Sequence, residues 1–131
     1  MAEYPTDKWD VSMTQSASQA KAFYQDVARN KRLWTVKDAD GFPASKNGEG
    51  KPVQPFWSSL SRVQKIITTV RAYSAFEPYE ISWDDFVSSW VTYLTENGLL
   101  VGINWSGQRA TGYDLEPKKV KDIVELYTRR L

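Results

Sequence analysis

Between Ser82 and Tyr113 the apolar positions change period, and the change divides the segment into a helix followed by two strands. Trp83, Phe86, Val87, Trp90, Val91 and Leu94 recur at three- and four-residue spacing, which gathers them on one helical face. Ser82 with Asp85 three residues on resembles a capping box, and Asn97-Gly98 supplies a left-handed stop. Leu99, Val101, Ile103 and Trp105 then alternate with Leu100, Gly102, Asn104 and Ser106, the pattern of a half-buried strand. A tight turn and a second strand follow, to about residue 115.

The remaining chain reads the same way. Residues 1–12, with Pro5, several charges and an isolated Trp9, predict an irregular segment pinned by the indole. Ala20, Phe23, Tyr24, Val27 and Ala28 predict a helix over about 14–30, and Leu33-Trp34-Thr35-Val36 a strand. From Lys37 to Pro52 the chain is dense in turn formers, including Asn47-Gly48, so a hairpin with a long tip is expected over about 33–57. Its return, Val53 to Trp57, should be an edge strand, because prolines cannot donate to a central ladder. Ser58 or Ser59 caps a helix carrying Val63, Ile66, Ile67, Val70 and Tyr73. Tyr79-Glu80-Ile81 is an extended link, and Pro117 opens a last helix with Val120, Ile123, Val124 and Tyr127. The expected fold is α+β, one domain over 1–131, with a small mostly antiparallel sheet of two hairpin-like strand pairs covered by about four helices.

Composition narrows the chemistry. The 131 residues include no cysteine and no histidine, so zinc sites of Cys/His type, Ser-His-Asp triads and Cys-His pairs are excluded. With 17 basic and 16 acidic side chains the net charge is +1, and no bulk field draws in nucleic acid or an anionic membrane. The start, MAEYPTDKWD, has no leader pattern, and no run approaches the ~18 apolar residues of a membrane span. A cytoplasmic, non-catalytic chain without metal or cofactor is the expectation. Asp38-Ala39-Asp40-Gly41 lacks the later ligands of a calcium loop and reads as a turn.

Two constellations could bind. Ser58, Ser59, Ser61 and Arg62 cluster at a helix start, where free N–H groups and the dipole attract anions, and Asn104 and Arg109 could reach over it. Aromatic residues at Trp34, Phe42, Phe56, Trp57, Trp105 and Tyr113 lie on or beside strands, where most fill a core. Polar, turn-prone residues follow Trp57 and Trp105, which marks these two as candidates for the surface. Acidic Asp84 and Asp85 are explained by the helix dipole, and Lys118, Lys119, Lys121, Arg129 and Arg130 by a solvated helix face.

The blocks Pro55-Phe56-Trp57-Ser58-Ser59 through Arg62, and Asn104-Trp105-Ser106-Gly107 through Ala110-Thr111-Gly112-Tyr113-Asp114, resemble a family of small bacterial proteins, domain of unknown function family 2750. The likeness runs from AKAFYQDVARNKRLWTVKDADGFPAS to the segment before the last helix. It implies a stand-alone bacterial cytoplasmic domain and brings no catalytic residue, cofactor or substrate.

From the residues, the first expectation is a module that adapts or neutralises another protein, with Trp57, Arg62, Trp105 and Arg109 lining one patch. On that reading, alanine at Trp57 and Trp105 abolishes partner capture and leaves the fold intact. The alternative is a small-anion or nucleotide-type site built from Ser58, Ser59, Ser61, Arg62 and Asn104.

Overall fold

Among the described residues, six strands lie in two groups that meet at a pair of tryptophans. The computed structural model describes residues 7–131 except residue 109, with side chains from residue 15 onward. β1 (Arg32–Lys37) pairs antiparallel with β4 (Glu77–Ser82). A four-stranded group follows the order β2 (Ser45–Lys46), β3 (Pro52–Phe56), β5 (Leu100–Ile103), β6 (Asp114–Leu115). Its β3–β5 pair is parallel and the other two pairs are antiparallel. Trp34 and Trp57 join the groups by exchanging backbone hydrogen bonds of 2.7 Å each.

Four helices of the described residues cover this framework, giving the α+β class expected. α1 (Asp7–Asn30), the helix over 83–96 (α3) and α4 (Pro117–Arg129) pack on one face. Their core contains Phe23, Val27, Phe86, Leu94, Val120 and Val124 against Leu33, Phe56, Val101 and Ile103. α2 (Leu60–Thr69) and a 3-10 turn (Arg71–Tyr73) close a second core on the opposite face, with Val63 and Ile66 against Val36, Val53, Trp57 and Trp105. Covering both faces explains why Val101, Gly102 and Ile103 of β5 are buried in succession rather than on alternate residues. It also leaves little room: Trp105 lies so close over Gly102 that a Cβ there would sit 2.6 Å from the indole.

Three expectations about the strands need correction. The hairpin expected over 33–57 forms only in its inner part, β2 with β3 about Asn47-Gly48, because β1 takes β4 as its antiparallel partner and meets β3 through the tryptophan pair and the Thr35 side chain. The extended link at Tyr79-Glu80-Ile81 is therefore a full strand. β3 is internal rather than an edge, flanked by β2 and β5. Pro55 is tolerated because its carbonyl accepts from the Thr35 hydroxyl at 2.8 Å, which places its missing N–H on the side where no ladder bond is required.

Helix boundaries followed local chemistry more closely. Ser59 caps α2 by accepting from the Arg62 N–H, Ser82 caps α3 by accepting from the Asp85 N–H, and Gly98 stops α3 at φ +67. Residues 7–12 are helical, which corrects the irregular start expected there; residues 1–6 and the Trp9 side chain lie outside the described residues. One helical feature has no sequence signal. α3 opens with Trp83–Asp85, passes through a π-helical turn at Phe86–Trp90 and continues as Val91–Glu96. The wide turn inserts a residue, so side chains after it are rotated relative to those before.

Where α1 meets α4, Tyr24 and Tyr127 pack with ring centroids 5.5 Å apart. Burial, helped by Tyr127, pushes the Tyr24 hydroxyl from 10.0 up to about 12. The stabilisation tied to the neutral hydroxyl is whole below pH 10.0 and is lost as pH rises towards about 12, because the unfolded chain gives up this proton first. Tyr24→Phe is expected to flatten the alkaline fall in urea midpoint across that window. An unchanged fall would show that another group controls it.

Candidate functional site

Trp57 and Trp105 were expected to face outward, and the structure buries both, to 1% and 7% exposure. Each indole N–H donates inward, Trp57 Nε1 to the Trp105 carbonyl at 2.8 Å and Trp105 Nε1 to the Tyr113 carbonyl at 2.9 Å. The indoles are spoken for by the chain itself, so they do not form a protruding patch.

The serine cluster is also turned inward. Ser58 is buried; its N–H donates to Asn104 Oδ1 at 2.9 Å and its hydroxyl to Asp26 Oδ2 at 2.8 Å. Asn104, itself buried, uses Nδ2 on the Gln19 carbonyl and on Ser58 Oγ, both at 3.1 Å. Ser59 serves as the helix cap and shares its hydroxyl with exposed Ser61. The anion pocket expected from Ser58, Ser59, Ser61, Arg62 and Asn104 is therefore displaced: the Asp26 carboxylate occupies the neighbourhood and the polar atoms of Ser58 and Asn104 hold α1, α2 and β5 together. Arg109 lies outside the described residues.

Arg62, Trp57 and Trp105 nonetheless meet at one place, a cleft of about 480 Å³ between α2 and the turn at residues 106–108. Half-buried Arg62 and exposed Lys65, three residues apart on α2, form one wall, and Ser106 and Gln108 face them. The tryptophan edges and Ile66 provide the apolar floor. Gln19 of α1 closes the end, donating Nε2 to Ser106 Oγ. Its Oε1 is buried and has no hydrogen-bond partner among the described residues. Trp105 and Gln108 also border a second hollow of about 600 Å³, where burial raises the Tyr73 hydroxyl pKa and a hydrogen bond with Ser45 opposes the rise.

A different surface carries the exposed aromatics. Phe42, from the loop after β1, packs edge-on against Tyr79 of β4 at 5.2 Å and against Trp90 of α3 at 5.0 Å. Tyr93 adds a further edge contact to Trp90 at 5.9 Å. Phe42, Tyr79 and Tyr93 are 37%, 36% and 45% exposed, and Phe42 and Tyr93 with Ser89 and Trp90 bound a hollow of about 240 Å³. Lys37 Nζ lies 5.0 Å from the Tyr79 ring centre. Phe56 anchors Trp90 from within at 5.8 Å.

A family model described as a protein of unknown function (DUF2750) matches residues 20–123. The chain belongs to the DUF2750 family. A search of the curated proteins finds no match. In this DUF2750 protein the matched span holds the whole aromatic face and every cleft wall except those from Gln15 and Gln19. Among the described residues no helix is long and apolar enough to cross a membrane. Asp38 and Asp40 form a tight turn, with Asp40 N–H donating to Asp38 Oδ1 at 2.8 Å, and Glu80 pairs with Arg32 at 3.5 Å.

Sequence reasoning missed Lys65 and Gln19 in the cleft and Tyr79, Trp90 and Tyr93 on the aromatic face. Lys65 was within reach, since it stands three positions from Arg62 on the polar side of a clear amphipathic helix. Trp90 was assigned to the core because it fits the three-four spacing; the π-helical turn that carries it to the rim leaves no mark in that spacing.

Proposed function

We propose that this DUF2750 protein is a non-catalytic protein-binding module whose contact face is the cluster of Phe42, Tyr79, Trp90 and Tyr93. The observation that carries this reading is the joint exposure of three of these rings on one face, beside a small hollow that Phe42, Trp90 and Tyr93 line. Aromatic side chains bury large areas at low entropic cost, which is why they concentrate at the centres of interfaces. The hollow suits a single apolar side chain, and the Lys37 ammonium over the neighbouring Tyr79 ring favours a carboxylate near that anchor. The partner is therefore a protein segment with an apolar anchor flanked by an acidic residue. Absence of histidine and cysteine from the sequence supports a role in binding rather than catalysis.

A photo-crosslinking residue at Tyr93 should yield a defined adduct with a host protein, and the same residue at Leu126, 43% exposed on α4, should not. Phe42→Ser should weaken the isolated complex by about 2 kcal/mol, roughly thirtyfold in Kd. Equal adducts from both sites, or an unaltered Kd, would reject this face.

A further inference from the structure

We propose that the cleft between α2 and the 106–108 turn binds a small organic acid that combines a carboxylate, an apolar body and an N–H donor. The three requirements come from three parts of the site and do not depend on the aromatic face.

The carboxylate is called for by Arg62 and Lys65. They share one side of α2, and neither forms an ion pair among the described residues, where the pairs are Arg32–Glu80 and Lys121–Glu125. No carboxylate of the described residues lines the cleft. Two cations beside apolar surface strengthen one another's pull on an anion, and the guanidinium offers paired donors to its oxygens.

The apolar body is called for by the floor. Because the indole nitrogens of Trp57 and Trp105 donate to backbone carbonyls, these rings offer the cleft carbon edges only, and Ile66 beside them has no polar atom in its side chain. Inorganic phosphate would meet the cations but gain nothing from this surface. It would also lack the backbone N–H groups that phosphate sites use, since Ser59, Leu60 and Ser61 at the start of α2 do not line the cleft.

The N–H donor is called for by Gln19. This side chain is 9% exposed, lines the cleft and commits its amide nitrogen to Ser106, while its oxygen has no donor among the described residues. Buried polar atoms are nearly always satisfied, so this cleft-lining carboxamide, whose orphaned oxygen lies beside Gly112, has cause to turn towards a ligand's donor. A volume of about 480 Å³ is within the range of small-molecule sites.

The test follows the indole N–H signals of Trp57 and Trp105 by nuclear magnetic resonance during titration of the whole chain with N-acetylphenylalanine. Three further probes each lack one element: its neutral carboxamide lacks the acid, 3-phenylpropanoate lacks the N–H, and inorganic phosphate lacks the body. Saturable shifts are expected with N-acetylphenylalanine, with weaker binding of every other probe. Arg62→Gln combined with Lys65→Gln should weaken N-acetylphenylalanine roughly tenfold or more and remove its advantage over the carboxamide. Gln19→Leu should abolish its advantage over 3-phenylpropanoate. These cations are not core residues, so the double variant should melt as the parent does. Absence of a saturable shift, phosphate binding as tightly, or a double variant that binds unchanged would overturn the proposal.

Discussion

Trp57→Ala lowers the free energy of unfolding by about 3–5 kcal/mol, seen as a fall in the urea midpoint with little change in slope. The indole is 1% exposed and packs edge-on against Tyr73 at 6.1 Å between centroids. Its removal opens a cavity in the smaller core and leaves the Trp105 carbonyl without the 2.8 Å bond it now accepts. That core rests on the same residue whose backbone ties the two strand groups together, so collapse around the cavity is restricted. Trp57→Phe keeps much of the volume and should cost less, about 1–3 kcal/mol. A loss below about 1 kcal/mol in the alanine variant would show that the indole is not part of the core. This expectation replaces the sequence-derived one, in which both tryptophans could be cut back without harm to the fold.

The second large effect belongs to Asn104, and Asn104→Ala should cost about 2–4 kcal/mol. Its side chain accepts from the Ser58 N–H and donates to the Gln19 carbonyl and the Ser58 hydroxyl, all within a buried junction of α1, α2 and β5. Alanine strands these partners where water does not reach. The backbone adds to the cost, since residue 104 sits at φ +48, a left-handed conformation that asparagine tolerates better than alanine. Asn104→Gly separates the two contributions: it relieves the backbone but restores no hydrogen bond, so it should remain well below the parent. Recovery to the stability of the parent in the glycine variant would assign the whole effect to the backbone instead.

Much of the helical structure was legible because its determinants lie within a few residues of one another. The Ser59 and Ser82 caps, the Gly98 stop and Pro117 at the head of α4 act through local backbone bonds and local dihedral preferences. Strand pairing was less legible. Which strand lies beside β1 depends on β4, some forty residues away in the chain, and the turn-rich stretch after β1 gave a false reason to expect the nearer partner.

The candidate sites divide along the same line. Arg62 could be singled out from its place at a helix start, but Gln19 joins it only because α1 packs beside β5, and their side chains are 43 positions apart in sequence. The pattern of apolar residues by itself determined the α+β class, the main helices and the residue types available for chemistry, since periodicity and composition are properties of the chain alone. Tertiary structure decided which aromatic rings are buried. A sheet covered on both faces consumed Trp57 and Trp105, while the π-helical turn and the β1–β4 pairing brought Trp90, Tyr93, Tyr79 and Phe42 together at the surface. Burial is set by what packs against a residue, and for these rings that neighbour comes from a distant part of the chain.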